Sequence, residues 1–199
     1  MISTVLFDFG GVLAEDGFRV GLLTIAERQG VDPEWFQRMA VEAIYQSGYV
    51  DGRCEERIFW ELFRKNTNHT MEDGVLREFF ITGYLLWPEM IACVKKINTQ
   101  AIKTVLISDH TNWLDELEEQ YAIFPLFDRV YNSYHVHKSK REGSLFPHVL
   151  ADLGVKPEQT LLIDDNQGNI ERAKAAGMKV YQFTDTDAFI KDVMPMLAG

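Results

Sequence analysis

The sequence predicts an α/β fold, a doubly wound parallel sheet with an inserted helical cap domain after strand one. Three observations carry this expectation. Short, nearly continuous apolar runs such as "TVLFDF" and "TLLID" alternate with amphipathic helical stretches. That is the texture of βαβ units whose sheet is covered on both faces. Four of the five β-rich runs fall in the second half of the chain. Between Ala14 and about Glu89 the helical period continues without a strand pattern, so a helical block interrupts the alternation directly after the first strand.

Taken in order, the first strand is expected at 4–9, where "TVLFDF" meets the glycine pair Gly10-Gly11. Helices are expected at 18–29, 33–46, 54–65 and 71–85. Asp32 followed by Pro33 is a helix cap with proline in the first turn, and Gly30, Gly48, Gly52 and Gly74 punctuate the boundaries. "LLWPEM" (85–90) reads as the hinge returning to the helix before strand two. The second half gives strands at 103–108, 129–133, 160–164 and 178–183, with helices at 113–121, 145–153, 169–176 and 187–197. This divides the chain into an α/β core, 1–14 with 90–199, and a helical cap domain, 15–89.

The totals narrow the function. A chain of 199 residues, 46% hydrophobic and 25% charged, suits one domain with an insertion. No run approaches the ~20 apolar residues of a membrane span. "VLF" meets Asp8 at once, which leaves no signal-peptide core, so a cytoplasmic protein is expected. Cys54 and Cys93 lie far apart without a C-x-x-C and read as packing residues in a reducing compartment. A formal net charge of −10 disfavours nucleic acid and anionic membranes as partners. A small anionic substrate would need a local positive site, from a metal or a few Lys and Arg. The oligomeric state is not legible.

The chemistry gathers at the strand ends. In open α/β sheets ligands bind beyond the carboxyl ends of the strands. A helical cap rooted there would sit over the site, exclude water and select substrates. Strand one ends at Asp8, and strand two at Ser108, followed by Asp109 and His110. After strand three, "NSYHVHKSKREGS" carries Lys138, Lys140 and Arg141. Strand four ends at Asp164 and Asp165, with Asn166 and Asn169 beyond. Each has a plainer reading alone: an Asp or Ser after a strand caps the next helix, and a loop lysine is solvated. The His135-x-His137 pair reads as loop surface, because no further soft ligands accompany it.

Together the segments "LFDFGGVL" (6–13), "VLISDHTN" (105–112) and "NSYHVHKSKREGSLFPHVLADLGVKPEQTLLIDDNQGNIERAKAAGMKVYQF" (132–183) resemble the haloacid dehalogenase-like (HAD) superfamily, in its helical-cap branch. "EERIFWELF" (55–63) is similar to the last cap helix of that branch. The resemblance implies a HAD-like, Rossmann-like core and phosphoryl transfer through an aspartyl-phosphate. It implies Asp8 as nucleophile, Ser108 as hydrogen-bond donor to the phosphoryl group and Lys140 as the neutralising cation, with Ser108, Asp109 and Lys140 around the substrate. It implies Mg²⁺ held by Asp8, Asp164, Asp165 and the main-chain carbonyl of Gly10, a hard oxygen set such as Mg²⁺ prefers. Asn112 and Asn169 read mainly as residues that order loops.

Two positions depart from the family pattern. Gly10 stands where most family phosphatases have the Asp that protonates the leaving group and then activates water. Such help is worth ~10²–10⁴ in rate. Glu15, Asp16 and His110 are candidate substitutes. The branch containing glucose-1-phosphate phosphatases also carries glycine here, and sugar 1-phosphates leave comparatively easily. Arg141 stands where the family has proline, and its charge is available to shift the loop or to engage a substrate anion. The expectation is a Mg²⁺-dependent phosphatase acting on a small phosphorylated metabolite, with sugar phosphates among the candidates. The alternatives are a 2-haloacid dehalogenase, against which Gly10 and the Asp164-Asp165 pair argue, and a non-catalytic regulatory or binding protein.

Overall fold

The structure is a computed structural model, and it describes residues 1–197. Strand β1 (Thr4–Phe7) is fully buried and ends one residue short of Asp8. The expected strand ran to Phe9, but the Asp8 carboxylate accepts the Phe9 N–H at 2.7 Å and the chain turns away from the sheet. Gly11 makes the turn possible. Its φ is +80°, and a Cβ there would lie 2.5 Å from Asp165 Oδ2, so only glycine fits on both counts.

Four helices follow: α1 (Gly17–Gln29), α2 (Pro33–Ser47), α3 (Glu56–Thr67) and α4 (Asp73–Thr82). Asp16 caps α1 by accepting the Arg19 N–H, and Asp32 caps α2 by accepting the Trp35 N–H, with Pro33 in the first turn as expected. The helices enclose an aromatic core of their own, built on Phe36, Phe59, Phe63 and Phe80. Trp113 is part of this cluster although it comes from much later in the chain. Gly17 allows α1 close to the segment after α4, because a Cβ there would collide with the Tyr84 ring.

The two crossings between helical block and sheet run side by side. Trp87 N–H donates to Leu13 O and Glu15 N–H to Leu85 O, both at 2.9 Å. After them come α5 (Pro88–Ile97), β2 (Lys103–Ser108), α6 (Trp113–Tyr121), β3 (Arg129–Asn132), α7 (Ser133–Val136), α8 (Leu145–Leu153), β4 (Thr160–Asp164), α9 (Gln167–Ala175), β5 (Lys179–Gln182), α10 (Thr186–Asp192) and α11 (Met194–Leu197). The sheet order is β3-β2-β1-β4-β5, and every neighbouring pair is parallel. Alternation along β1 supplies both faces. Val5 and Phe7 join a cluster with Met90, Leu114 and Phe189, while Leu6 joins Leu145, Phe146 and Ala173 on the other side.

Other elements differ from expectation besides β1, and α3 and α4 each start two residues late. The terminal helix is two short ones broken at Val193, because Pro195 offers no N–H to continue the first. The loop after β3 holds the short helix α7, where Asn132 accepts the Tyr134 N–H. Helix α9 begins at Gln167, earlier than expected, since Asn166 caps it by accepting the Asn169 N–H. No helix among the described residues is long and apolar enough to cross a membrane.

Candidate active site

The register of the sheet brings the distant segments together. Phe7 pairs with Leu106 on one side and Ile163 on the other. Asp8 follows immediately, its N–H on Ile163 O at 3.0 Å. The ends of β1, β2 and β4 therefore open into one space. The lysine reaches it from the loop after α7. Asp109 holds that loop: its carboxylate accepts the N–H of Lys140 at 2.6 Å, the N–H of Arg141 at 3.1 Å and the hydroxyl of Tyr45 at 3.0 Å.

Lys140 is 1% exposed, an unusual depth for a lysine. Its Nζ lies 2.6 Å from Asp8 Oδ2 and 2.7 Å from Asp164 Oδ2. Burial alone would lower its pKa, but Asp164, Asp8 and Asp109 more than offset this and raise it, so the ammonium stays charged. Asp8 is pushed upward by burial and by the charges of Asp164 and Asp165, against the pull of Lys140. Asp164 has both oxygens engaged: Oδ1 accepts the Asn166 N–H at 2.9 Å and the Asn169 side chain at 3.1 Å, and Oδ2 takes the lysine. Asp165 is exposed toward the cavity, yet the protein crowded around its carboxylate and then the Asp164 charge push its pKa up to about 6.

Asp8, Asp164 and Asp165 each place one oxygen within 4.8 Å of the others. One ammonium, in contact with Asp8 and Asp164, thus stands against three carboxylates, which leaves an excess of negative charge on hard oxygen donors. That donor set and charge fit a divalent cation such as Mg²⁺.

A cavity of about 490 Å³ opens over this cluster. The sheet side contributes Asp8, Gly10, Ser108, Asp109, His110, Lys140 and Asp165; the helical block contributes Phe18, Gln37, Val41, Ile44 and Tyr45. The block is tied down over the cavity by Tyr49, whose hydroxyl donates to Asn112, and by Ser133, whose hydroxyl donates to Val50 O at 2.7 Å.

The sequence profile of the haloacid dehalogenase-like hydrolases matches residues 2–177. The chain belongs to that family. Enolase-phosphatase E1 of Aquifex aeolicus (strain VF5) is 23% identical to this hydrolase over 202 residues, covering 92% of this chain and 90% of its own. Drimenol cyclase drtB of Aspergillus calidoustus is 34% identical over 62 residues; the match spans 31% of this chain and 12% of that protein. Among solved structures, a HAD family enzyme of Bacteroides thetaiotaomicron in complex with magnesium and inorganic phosphate shares the fold. Its TM-score is 0.69 at 19% identity, covering 92% of this hydrolase and 95% of that chain.

The residues that the sequence assigned to nucleophile, substrate and metal come together in this hydrolase. Asp8, Gly10, Ser108, Asp109, Lys140 and Asp165 line the cavity, and Asp164 sits behind Lys140. The Asp109 side chain is engaged with protein donors, so its work is to fix the lysine loop. Asn169 orders Asp164 from within α9, and Asn112 serves the helical block. His135 pairs with Asp115, and His137 Nδ1 lies 2.7 Å from Asp51 O, as surface and loop contacts. The sequence reading missed Arg172, which donates to Lys140 O at 2.7 Å and to Asn169 Oδ1 at 2.8 Å. Its spacing of three from Asn169 on one helix face was the available signal.

The three substitutes for the missing acid separate cleanly. Glu15 accepts from Trp87 Nε1 at 3.2 Å, away from the cavity. His110 is buried between Phe9 and Tyr84, and burial lowers its pKa to about 4, so it is a neutral imidazole at pH 7. Asp16 lines the cavity, and its Cβ lies 3.9 Å from where a Cβ on Gly10 would stand. Tyr84 crowds that same point at 3.3 Å.

Proposed function

We propose that this hydrolase is a Mg²⁺-dependent phosphatase that removes phosphate from a small phosphorylated metabolite through an aspartyl-phosphate on Asp8. The observation that carries the reading is the buried Lys140 ammonium gripped by Asp8 and Asp164 with Asp165 alongside. The helical block, 15–89, acts as the cap that closes the site and selects substrates, and sugar phosphates are the first class to test. The cytosol supplies both metabolite and ion for such a reaction.

In this reading Asp8, Asp165 and the Gly10 carbonyl would hold Mg²⁺, with the Asp164 carboxylate adding to the same cluster and fixing Lys140. Bound Mg²⁺ supplies positive charge against which a carboxylate and a phosphate can approach each other. Asp8 attacks phosphorus; the leaving oxygen departs with a proton; water then attacks phosphorus and frees Asp8. Ser108 donates to a non-bridging oxygen, and Lys140 offsets charge on both nucleophile and phosphoryl group. Hydrolysis of p-nitrophenyl phosphate that stops with EDTA and returns with Mg²⁺ is the expected result. Activity undiminished by EDTA, with halide released from 2-chloropropionate, would identify a dehalogenase instead.

Asp16 carries the proton in place of the absent side chain at position 10. It stands beside that vacancy, and burial raises its pKa, which favours the protonated form an acid needs. Asp16→Asn preserves the helix cap, since Asn caps as well as Asp. The variant should lower kcat/KM for alkyl phosphates by about 10²-fold. It should cost p-nitrophenyl phosphate far less, because that leaving group needs no proton. Equal losses on both substrates would remove Asp16 from the mechanism.

Metal binding should follow the protonation of the cluster. With Asp165 at about 6, a proton must be displaced for the ion to bind below that pH. The Mg²⁺ dissociation constant, measured by calorimetry, is expected to be flat above pH 7 and to rise about tenfold per unit below pH 6. An affinity independent of pH between 5 and 7 would rule out Asp165 as a ligand.

A further inference from the structure

We propose that Arg141 binds a second oxyanion, a carboxylate or phosphate on the leaving group, so that the preferred substrates are phosphate monoesters carrying another negative charge. The inference rests on the phosphatase reading and adds the substrate class.

Arg141 lies at the cavity wall directly after the lysine. Its placement is fixed from two directions. The backbone N–H donates to Asp109 Oδ2, and the guanidinium covers the ring of Tyr45 from α2, with Cζ 4.3 Å from the ring centroid. Tyr45 in turn donates its hydroxyl to the same Asp109 oxygen. One carboxylate therefore pins both the backbone that carries the guanidinium and the ring on which it rests. Such a contact orients an arginine while leaving the in-plane N–H groups open.

Those donors are unspent. Among the described residues no carboxylate lies within 4.0 Å of the Arg141 guanidinium, in a chain with 30 acidic and 20 basic residues. Three of the site's acids have partners elsewhere, Asp8 and Asp164 in Lys140 and Asp109 in three protein donors. Arg172, the other arginine of the cavity, donates to Lys140 O and Asn169. Arg141 is thus an oriented cation at the junction of sheet and helical block, with a fork that matches two oxygens of an oxyanion. Asp8, Lys140 and Arg141 line one cavity, so a substrate phosphate held at Asp8 and Lys140 would leave its remaining groups in a space that Arg141 borders.

The test compares non-hydrolysable ligands that differ in one charge. Phosphonoacetate, 3-phosphonopropionate and 4-phosphonobutyrate are each paired with the corresponding amide, and dissociation constants are measured by calorimetry on the Mg²⁺-loaded protein. At the chain length that spans the two sites, the acid should bind at least about tenfold more tightly than its amide. Arg141→Met should bring that ratio to about one, and Arg141→Lys, which keeps the charge without the fork, should leave an intermediate ratio. If acids and amides bind alike at every length, or if the ratio survives Arg141→Met, the guanidinium is a solvated surface charge and the proposal is wrong. If neither acids nor amides nor inorganic phosphate bind with Mg²⁺, the phosphatase reading itself fails.

Discussion

Asp8→Asn is expected to reduce Mg²⁺-dependent hydrolysis of p-nitrophenyl phosphate by at least about 10³-fold. The amide has nearly the shape of the acid, and its oxygen can still accept the Phe9 N–H that ends β1. It lacks the charge and the nucleophilic lone pair that the first step needs. Lys140 keeps Asp164 as a partner, so the variant should fold, and near-native circular dichroism and thermal unfolding would separate lost chemistry from lost structure. Equal residual rates in wild type and variant would show that the measured activity does not pass through Asp8.

Lys140→Met should produce two effects that can be read separately. The first is on stability. Removing a buried ammonium leaves Asp8 and Asp164 facing each other without compensation, and breaking a buried ion pair in this way costs about 3–5 kcal/mol. The metal-free variant should unfold at a markedly lower temperature. Saturating Mg²⁺ should recover part of that loss, because a cation at the carboxylate cluster offsets the same charge. The second effect is on rate. Even when the ion is bound, phosphoryl charge is no longer stabilised from the lysine side, and kcat should fall about 10²–10³-fold. A stable variant with wild-type kcat would remove Lys140 from the mechanism and leave it a structural pair.

Much of this molecule was legible because periodicity and strand-end position are local signals. The nearly continuous apolar run "TVLFDF" implies a strand covered on both faces, and the structure buries Val5 and Phe7 on one side and Leu6 on the other. Residues that end parallel strands must share one edge, so Asp8, Ser108 and Asp164 could be grouped before any coordinates. The parts that were not legible depend on distances between elements far apart in sequence. Tyr45 reaches Asp109 across 64 positions, and Arg172 reaches the Lys140 carbonyl across 32; neither spacing leaves a periodic trace. The choice among Glu15, Asp16 and His110 was similarly open. It turns on how steeply the chain leaves the sheet at Gly10-Gly11, which brings Asp16 back beside Gly10 and sends Glu15 toward Trp87.

The helical block is joined to the sheet domain by contacts that no sequence period reveals. Trp113, from the first turn of α6, packs among the aromatic rings of the block, and Arg77 of α4 pairs with Glu116 of the same helix α6. These contacts hold the helical block beside the cavity that opens over the carboxylate cluster.

The central claim, an aspartyl-phosphate on Asp8, is tested most directly by trapping. Protein turning over p-nitrophenyl phosphate with Mg²⁺ is quenched in borohydride, which reduces an acyl phosphate to an alcohol, and the peptide containing residues 4–17 is analysed by mass spectrometry. The account predicts homoserine at position 8, dependent on both substrate and Mg²⁺. Phosphate release with an unmodified Asp8, or with the label on another residue, would contradict it.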